Sequence, residues 1–109
     1  MRTFPTVSIA LTLVLLSVTA ALTATNVAEV IQKGRAFSTG GVQIPKGGIV
    51  RFINDDLFLH QVYVETPSFN FESDEQEPGT NVEVQFPKPG LFEVRCHIHP
   101  KMLLQVEVK

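Results

Sequence analysis

The sequence from residue 25 onward predicts an all-β domain, a sandwich or barrel built from short strands. Three observations lead to this fold class. Turn residues recur roughly every eight to twelve positions, apolar and polar residues alternate between the turns, and no segment after the first 24 residues has the apolar period of a helix. Short strands spaced in this way are typical of β-sandwiches and β-barrels.

The predicted strands follow one another along the whole of this region. A Gly40-Gly41 turn separates two short strands, a Pro-Lys-Gly-Gly turn at 45–48 precedes the next, and 66–79 is predicted to be a polar loop. The predicted strands are 27–31, 36–37, 42–44, 49–54, 60–65, 81–86, 91–96 and 102–109.

Strand periodicity brings three chemically distinctive residues to the buried side of the domain. Side chains two positions apart in a strand point to the same face. His60, Cys96 and Met102 therefore share the apolar face of their strands, each at a strand end. The residues in phase with them are Val62, Val64, Phe92, Val94, Leu104, Val106 and Val108. The segment 97–101 joins two of these strand ends and carries His99.

The first 24 residues have the features of a cleaved signal peptide. Arg2 gives a positive start, 7–22 is mostly apolar, and small residues favour cleavage after Ala20 or Ala24. The alternative is an uncleaved membrane anchor. A spanning helix needs about 20 apolar residues, and the segment 7–22 is shorter and interrupted by serine and threonine residues. We therefore expect an exported protein, periplasmic in a Gram-negative source, with no membrane insertion after cleavage and one domain at 25–109.

Charge and cysteine content narrow the function classes. The chain has a net charge of −2 at pH 7 and no basic stripe, so we expect no nucleic-acid partner. Acidic residues are densest at 72–77, a segment that is either a solvated loop or a docking site for a basic partner. The single cysteine, Cys96, cannot form an internal disulfide, so a metal is the stabilising element still available to so small a domain.

A cysteine, a histidine and a methionine occur with the spacing C-x2-H-x2-M at Cys96, His99 and Met102, and His60 lies upstream. A thiolate, two imidazoles and a weak axial thioether favour copper and describe a blue-copper site. Taken singly, each residue has an ordinary explanation as a core or turn residue. A structural zinc site could use the same cysteine and histidines, but zinc gains little from a thioether.

The sequence resembles plastocyanins and amicyanins, members of the cupredoxin family of blue-copper proteins. The resemblance rests on 50–54, on His60 and on the segment 89–102, which reads PGLFEVRCHIHPKM, and its short copper loop is closer to amicyanin. It implies a Greek-key β-sandwich with His60, Cys96 and His99 as equatorial ligands and Met102 as the axial ligand. It also implies one copper ion per chain, alternating between Cu(I) and Cu(II), and a monomer that shuttles electrons between larger redox proteins such as a c-type cytochrome or a dehydrogenase.

The resemblance also suggests residues around the ligands. Gln61 and His97 stand where the family usually has Asn and Ser or Thr, and with Asn54 they are expected to surround the ligands. Either the side chains of Gln61 and His97 form hydrogen bonds with each other across the site, or both side chains point to water. Phe92 replaces a common Tyr. The family likeness further predicts an apolar docking patch beside His99, made of Leu57, Phe58 and Pro100.

Two rival functions follow from the same residues. A copper enzyme is not expected, because two of the three histidines are committed to the ligand set, and a two-copper centre of the cytochrome oxidase type needs two cysteines. The other alternative is a copper carrier or sensor without a redox role. Such proteins favour open, Met-rich sites, whereas Met1 is the only other methionine in this sequence.

Overall fold

The computed structural model describes residues 2–15 and 26–109. Residues 2–15 form no helix or strand and are exposed. In the described part of the chain, no helix is long and apolar enough to cross a membrane. The predicted cleavage after Ala20 or Ala24 lies outside the described residues.

The described residues form nine β-strands and no helix. The strands are β1 Val27–Lys33, β2 Ala36–Phe37, β3 Gly41–Ile44, β4 Ile49–Asn54, β5 Val62–Glu65, β6 Asn70–Glu72, β7 Asn81–Gln85, β8 Gly90–Cys96 and β9 Leu103–Val108.

Two mixed sheets pack against each other. One has the strand order β2-β1-β4-β7 and the other the order β3-β9-β8-β5-β6. The pairs β1–β4 and β3–β9 are parallel, and the remaining pairs are antiparallel. The prediction of an all-β sandwich is confirmed.

Several predicted strand ends differ from the structure by one or two residues, and one strand was not predicted. β6 lies inside 66–79, which was predicted to be a loop, because its polar residues pair with β5 as an edge strand. His60 and Met102 do not begin their strands. His60 forms an isolated bridge with Gln76 two residues before β5, and Met102 directly precedes β9. Both residues keep the buried phase expected from the alternation.

The core between the sheets consists of the apolar faces of the strands. Its buried members include Val30, Val50, Phe52, Val62, Val84, Phe86, Phe92, Val94, Leu104 and Val106. The rings of Phe86 and Phe92 in the core and of the partly buried Phe69 contact one another with centroid separations of 5.3 to 5.8 Å. Such tilted aromatic contacts add to the free energy of burial.

We predict that Phe86→Ala destabilises the fold strongly. The ring is fully buried, so its removal leaves a cavity that costs about 3–5 kcal/mol of unfolding free energy. Leu91→Ala is the matched control, because Leu91 is 63% exposed and its loss should cost at most about 0.5 kcal/mol. Urea unfolding at pH 7 measures both variants, and equal losses would contradict this account of the core.

Candidate metal centre

Cys96 is the last residue of β8 and lies opposite Val62 of β5. Its side chain is 1% exposed, and its sulfur accepts a hydrogen bond from the Gln61 backbone N–H at 3.4 Å. The antiparallel pairing of β5 with β8 holds this sulfur against the segment that leads into β5. The sulfur is thereby held in one position at the end of β8, with a single backbone N–H donor.

His60 is fully buried and is fixed through its backbone and its ring. Its N–H donates to the Gln76 carbonyl at 3.2 Å, and the Gln76 N–H donates to the His60 carbonyl at 2.7 Å. The ring Nδ1 lies 3.6 Å from the Cys96 sulfur. The structure therefore brings together two of the predicted ligands that are 36 positions apart in the chain.

Asp56 orients the His60 ring, a role that the sequence did not predict. One carboxylate oxygen, Oδ2, lies 3.0 Å from His60 Nε2 and accepts the Arg35 N–H at 2.8 Å, while Oδ1 accepts the Leu57 N–H at 2.9 Å. A carboxylate beside Nε2 favours a hydrogen on that atom. The ring then presents Nδ1 to Cys96, which is the usual way in which a second group orients a histidine ligand.

The same contacts explain the acidity of Asp56. Burial alone would raise its pKa, but the hydrogen bonds from the Arg35 N–H, the His60 ring and the Leu57 N–H outweigh burial and lower the pKa from 3.8 to about 2. The carboxylate is therefore ionised throughout the neutral range and remains an acceptor for His60.

His99 lies in the loop between β8 and β9 and contacts two rings edge-on. Its centroid is 4.9 Å from that of His60 and 6.0 Å from that of Phe58. Within the described part of the chain, the buried Nε2 of His99 has no hydrogen-bond partner. Since buried polar atoms are normally paired, an unpaired imidazole nitrogen beside His60 fits a metal ligand.

Met102 completes the predicted set. Its side chain is 2% exposed, and its N–H donates to the His99 carbonyl at 3.0 Å, which closes the loop into a turn. The turn ties the residue predicted as axial ligand to the residue predicted as equatorial ligand.

The donor atoms of the four candidate ligands suit copper, but the four side chains are not arranged as a formed coordination sphere. Among residues 2–15 and 26–109, no group of three or more His, Cys, Asp and Glu side chains is arranged to hold a metal ion. The cluster nevertheless contains a buried thiol, an imidazole facing it, a second imidazole with an unpaired nitrogen and a buried thioether. This combination of soft sulfur and imidazole donors is the one that copper prefers.

Gln61 and His97 meet through the backbone. The His97 N–H donates to the Gln61 carbonyl at 2.9 Å. Their side chains share an acceptor, because Gln61 Nε2 and His97 Nε2 approach the same Glu72 oxygen at 3.3 and 3.4 Å. His97 also stacks on Tyr63 with the ring centroids 3.7 Å apart. Among the described residues no hydrogen bond joins the Gln61 and His97 side chains, so the arrangement matches neither sequence-based alternative.

Asn54 shapes the loop that carries Asp56. Its fully buried amide donates to the carbonyls of Phe58 and Gln76 at 3.0 and 2.9 Å, and its oxygen accepts the Asp56 N–H at 3.0 Å. The residue thus joins the loops on both sides of His60.

The predicted docking patch is exposed beside His99. Leu57 is 89% exposed, Phe58 contacts the His99 ring edge-on, and Pro100 follows His99 directly. A shallow depression, termed here the His99 depression, is lined by Arg35, Ile98, His99, Pro100 and Lys101.

Sequence reasoning missed Asp56, Gln76 and Arg35. Asp56 follows another aspartate and resembles a turn residue, and Gln76 lies among acidic residues in a segment predicted to be solvated. Their contacts with His60 depend on loops whose paths no periodicity encodes. The only available signal was the position of Asp56, four residues before His60, and this spacing has no fixed meaning outside a helix.

We predict that Asp56→Asn makes the metal-free protein less stable at neutral pH and less sensitive to acid. Because the pKa of Asp56 is lowered to about 2, its contribution is complete above pH 5 and is lost as the pH falls from about 4 towards 2. At about 1.4 kcal/mol per pKa unit the contribution is about 2 kcal/mol.

Urea unfolding at pH 6 and at pH 2.5 measures this contribution. Asp55→Asn is the matched control, since the Asp55 side chain is 64% exposed and lies 3.9 Å from Lys33. The wild type and Asp55→Asn should lose more stability on acidification than Asp56→Asn. Identical losses in all three proteins would show that Asp56 does not have the assigned role.

Comparisons with known proteins identify the fold. No family model and no curated protein matches the sequence. A purple cupredoxin from Nitrosopumilus maritimus matches with a TM-score of 0.67 and 23% identity over 75% of this chain and 99% of that one. Amicyanin from Paracoccus versutus (Thiobacillus versutus) matches with a TM-score of 0.71 and 21% identity over 77% of this chain and 82% of that one.

A larger protein contains the same architecture. The Cu-containing nitrite reductase of Thermus scotoductus SA-01 matches with a TM-score of 0.67 and 28% identity over 75% of this chain, but this covers only 22% of the reductase. These three solved structures are thus two cupredoxins and a copper enzyme with a region of the same architecture. The chain has the cupredoxin fold.

Proposed function

We propose that the protein is an exported one-electron carrier that holds a single copper ion through His60, Cys96, His99 and Met102. The observation that carries the proposal is the approach of His60 Nδ1 to the Cys96 sulfur at 3.6 Å, with Asp56 holding the other ring nitrogen. Copper bound there would supply one-electron chemistry by alternating between Cu(I) and Cu(II).

Rigidity of the ligands supports electron transfer over copper delivery. His60 is held by two backbone hydrogen bonds and one ring hydrogen bond, and the Cys96 sulfur accepts a backbone N–H. A site that changes little between oxidation states favours rapid electron transfer, whereas a copper carrier or sensor needs ligands that open. The buried positions of His60, Cys96 and Met102 also argue against easy release of the metal.

Access to the site supports the same function. His99 is half-buried, whereas the other three candidate ligands are at most 2% exposed. The His99 ring is therefore the candidate ligand best placed for electrons to enter and leave. We assign the apolar patch of Leu57, Phe58 and Pro100 as the surface that contacts a redox partner, such as a c-type cytochrome or a dehydrogenase.

The role proposed for the protein is not enzymatic. Among the described residues, the third histidine, His97, is an exposed side chain stacked on Tyr63 and lies outside the candidate ligand set. We place the protein outside the cytoplasm, in the periplasm of a Gram-negative source, as a monomer. The localisation depends on the predicted signal peptide at 1–24.

We predict that Cys96→Ser abolishes the intense visible absorption of the oxidised copper protein. The absorption would arise from charge transfer between the thiolate and copper, which a hydroxyl group cannot supply. His97→Thr, a change at the adjacent exposed residue, is the control and should keep the band. Visible spectra of both variants after addition of one equivalent of copper test the prediction, and an intensely coloured Cys96→Ser protein would refute the proposed function.

We also predict that Leu57→Ser slows electron self-exchange between reduced and oxidised copies by about tenfold. Two copies can exchange electrons by apposing their apolar patches, and loss of an exposed leucine from that contact removes about 1.4 kcal/mol of encounter free energy. The spectrum should not change, because Leu57 is 89% exposed. NMR line broadening measures the rate.

Leu91→Ser is the control for this experiment. Leu91 is 63% exposed near the start of β8, at the end of that strand opposite Cys96. If Leu91→Ser slowed self-exchange as much as Leu57→Ser, the apolar patch beside His99 would not be the docking surface.

A further inference from the structure

Two cations line the His99 depression. Arg35 and Lys101 are exposed on its wall, together with Ile98, His99 and Pro100. In the part of the chain that the structure describes, neither cation has an ion-pair partner. The depression is therefore lined by two positive charges together with the apolar side chains of Ile98 and Pro100.

The acidic residues next to the depression offset this charge only in part. Asp56 is 8% exposed and its oxygens accept hydrogen bonds from His60, Arg35 and Leu57. Asp55 lies 3.9 Å from the Lys33 ammonium group. Arg35, Lys101 and Lys33 outnumber Asp55 and Asp56 by one, so the surface around His99 is locally positive, although the chain as a whole has a net charge of −2.

Arg35 is held in place beside His99 by an unusual backbone conformation. Gly34 and Arg35 form the turn between β1 and β2 with φ angles of 63° and 56°, the left-handed values of a tight hairpin turn. A non-glycine residue is sterically disfavoured there. The Arg35 guanidinium lies 4.0 Å above the Phe58 ring, and a cation–π contact of this kind helps to offset that cost.

Negative charge is concentrated on a different surface. Asp74, Glu75 and Glu77 line a separate depression with Asn81 and Val82. The distribution of charge is therefore asymmetric, with the positive part at the half-buried candidate ligand. This distribution is opposite to what the net charge alone would suggest for the surface at which electrons enter and leave.

We propose that the His99 depression docks an acidic face of a redox protein, whose carboxylates pair with Arg35 and Lys101 around an apolar contact. The proposal rests on the proposed electron-carrier function and adds the charge of the partner. A protein partner fits better than an anionic membrane, because membrane attachment through charge uses clusters of about four to eight basic residues. Two basic residues, Arg35 and Lys101, line the depression.

Ferricyanide, a small anionic oxidant, probes the charge around His99. Each ferricyanide accepts one electron from the reduced copper protein and becomes ferrocyanide, while the copper is oxidised from Cu(I) to Cu(II). At 0.1 M ionic strength the Debye length is about 10 Å, so the reagent responds to charges near its point of contact. We expect the rate constant to fall between 0.1 and 1 M, because salt screens attraction to the two cations.

The variants Arg35→Gly and Lys101→Gln test the assignment to these residues. Glycine is favoured at the left-handed φ of position 35 and keeps the backbone N–H that bonds Asp56. The double variant should fold normally, lose the decrease of rate with salt and react roughly tenfold more slowly at 0.1 M. Lys88→Gln removes the same type of charge near the start of β8 and should behave as wild type.

A rate that rises with salt in a coloured wild-type protein, or equal effects of Lys88→Gln and the double variant, would overturn the acidic-partner proposal alone. A protein without the intense visible band would instead refute the proposed function. The two failures are therefore distinguishable.

Binding of poly-glutamate tests the partner chemistry without copper. NMR shifts of the metal-free protein should cluster at 35, 57–58 and 98–101 and vanish in the Arg35→Gly/Lys101→Gln variant. Shifts confined to other surfaces would overturn the proposal. The proposal would also be overturned if the protein bound phosphatidylglycerol vesicles more strongly than poly-glutamate and this binding required Arg35 and Lys101. That result would identify a membrane as the occupant.

Discussion

The pairing of β5 with β8 is the constraint on which the candidate metal centre depends. It sets Val62 opposite Cys96, so that His60, two residues before Val62, meets the cysteine sulfur at 3.6 Å. A shift of one residue in this register would turn Cys96 and its neighbours to the other face of the sheet. The alternating core of both strands prevents such a shift, and core packing thereby fixes the distance between the sulfur and the imidazole.

The end of the sandwich that carries His60 has an unusually polar interior. Gln32, Asn54, Asp56, His60 and Gln76 are all at most 8% exposed. Burial of such groups is unfavourable unless they are hydrogen-bonded. Here they bond one another and the backbone, except that Gln32 Oε1 has no partner among the described residues. An apolar interior would stabilise a small sandwich more simply. The polar cluster instead fixes the orientation of the His60 ring, which is what a preorganised ligand requires.

The sequence predicted the features that follow from alternation. A two-residue period identified the sandwich and the buried phase of His60, Cys96 and Met102, because burial on one face of a strand imposes that period. Contacts made by loops produce no periodic pattern in the sequence. Asp56, Gln76 and Arg35 act through the paths of three separate loops, and β6 is a polar edge strand whose pairing with β5 shows no apolar alternation.

The central claim is that His60, Cys96, His99 and Met102 form one copper site. The most direct measurement is a titration of the protein with Cu(II), followed by visible absorption and electron spin resonance. A single copper site at these four residues predicts an intense thiolate-to-copper band that saturates at one copper per chain. A colourless complex, or a band that does not saturate at that stoichiometry, would contradict it.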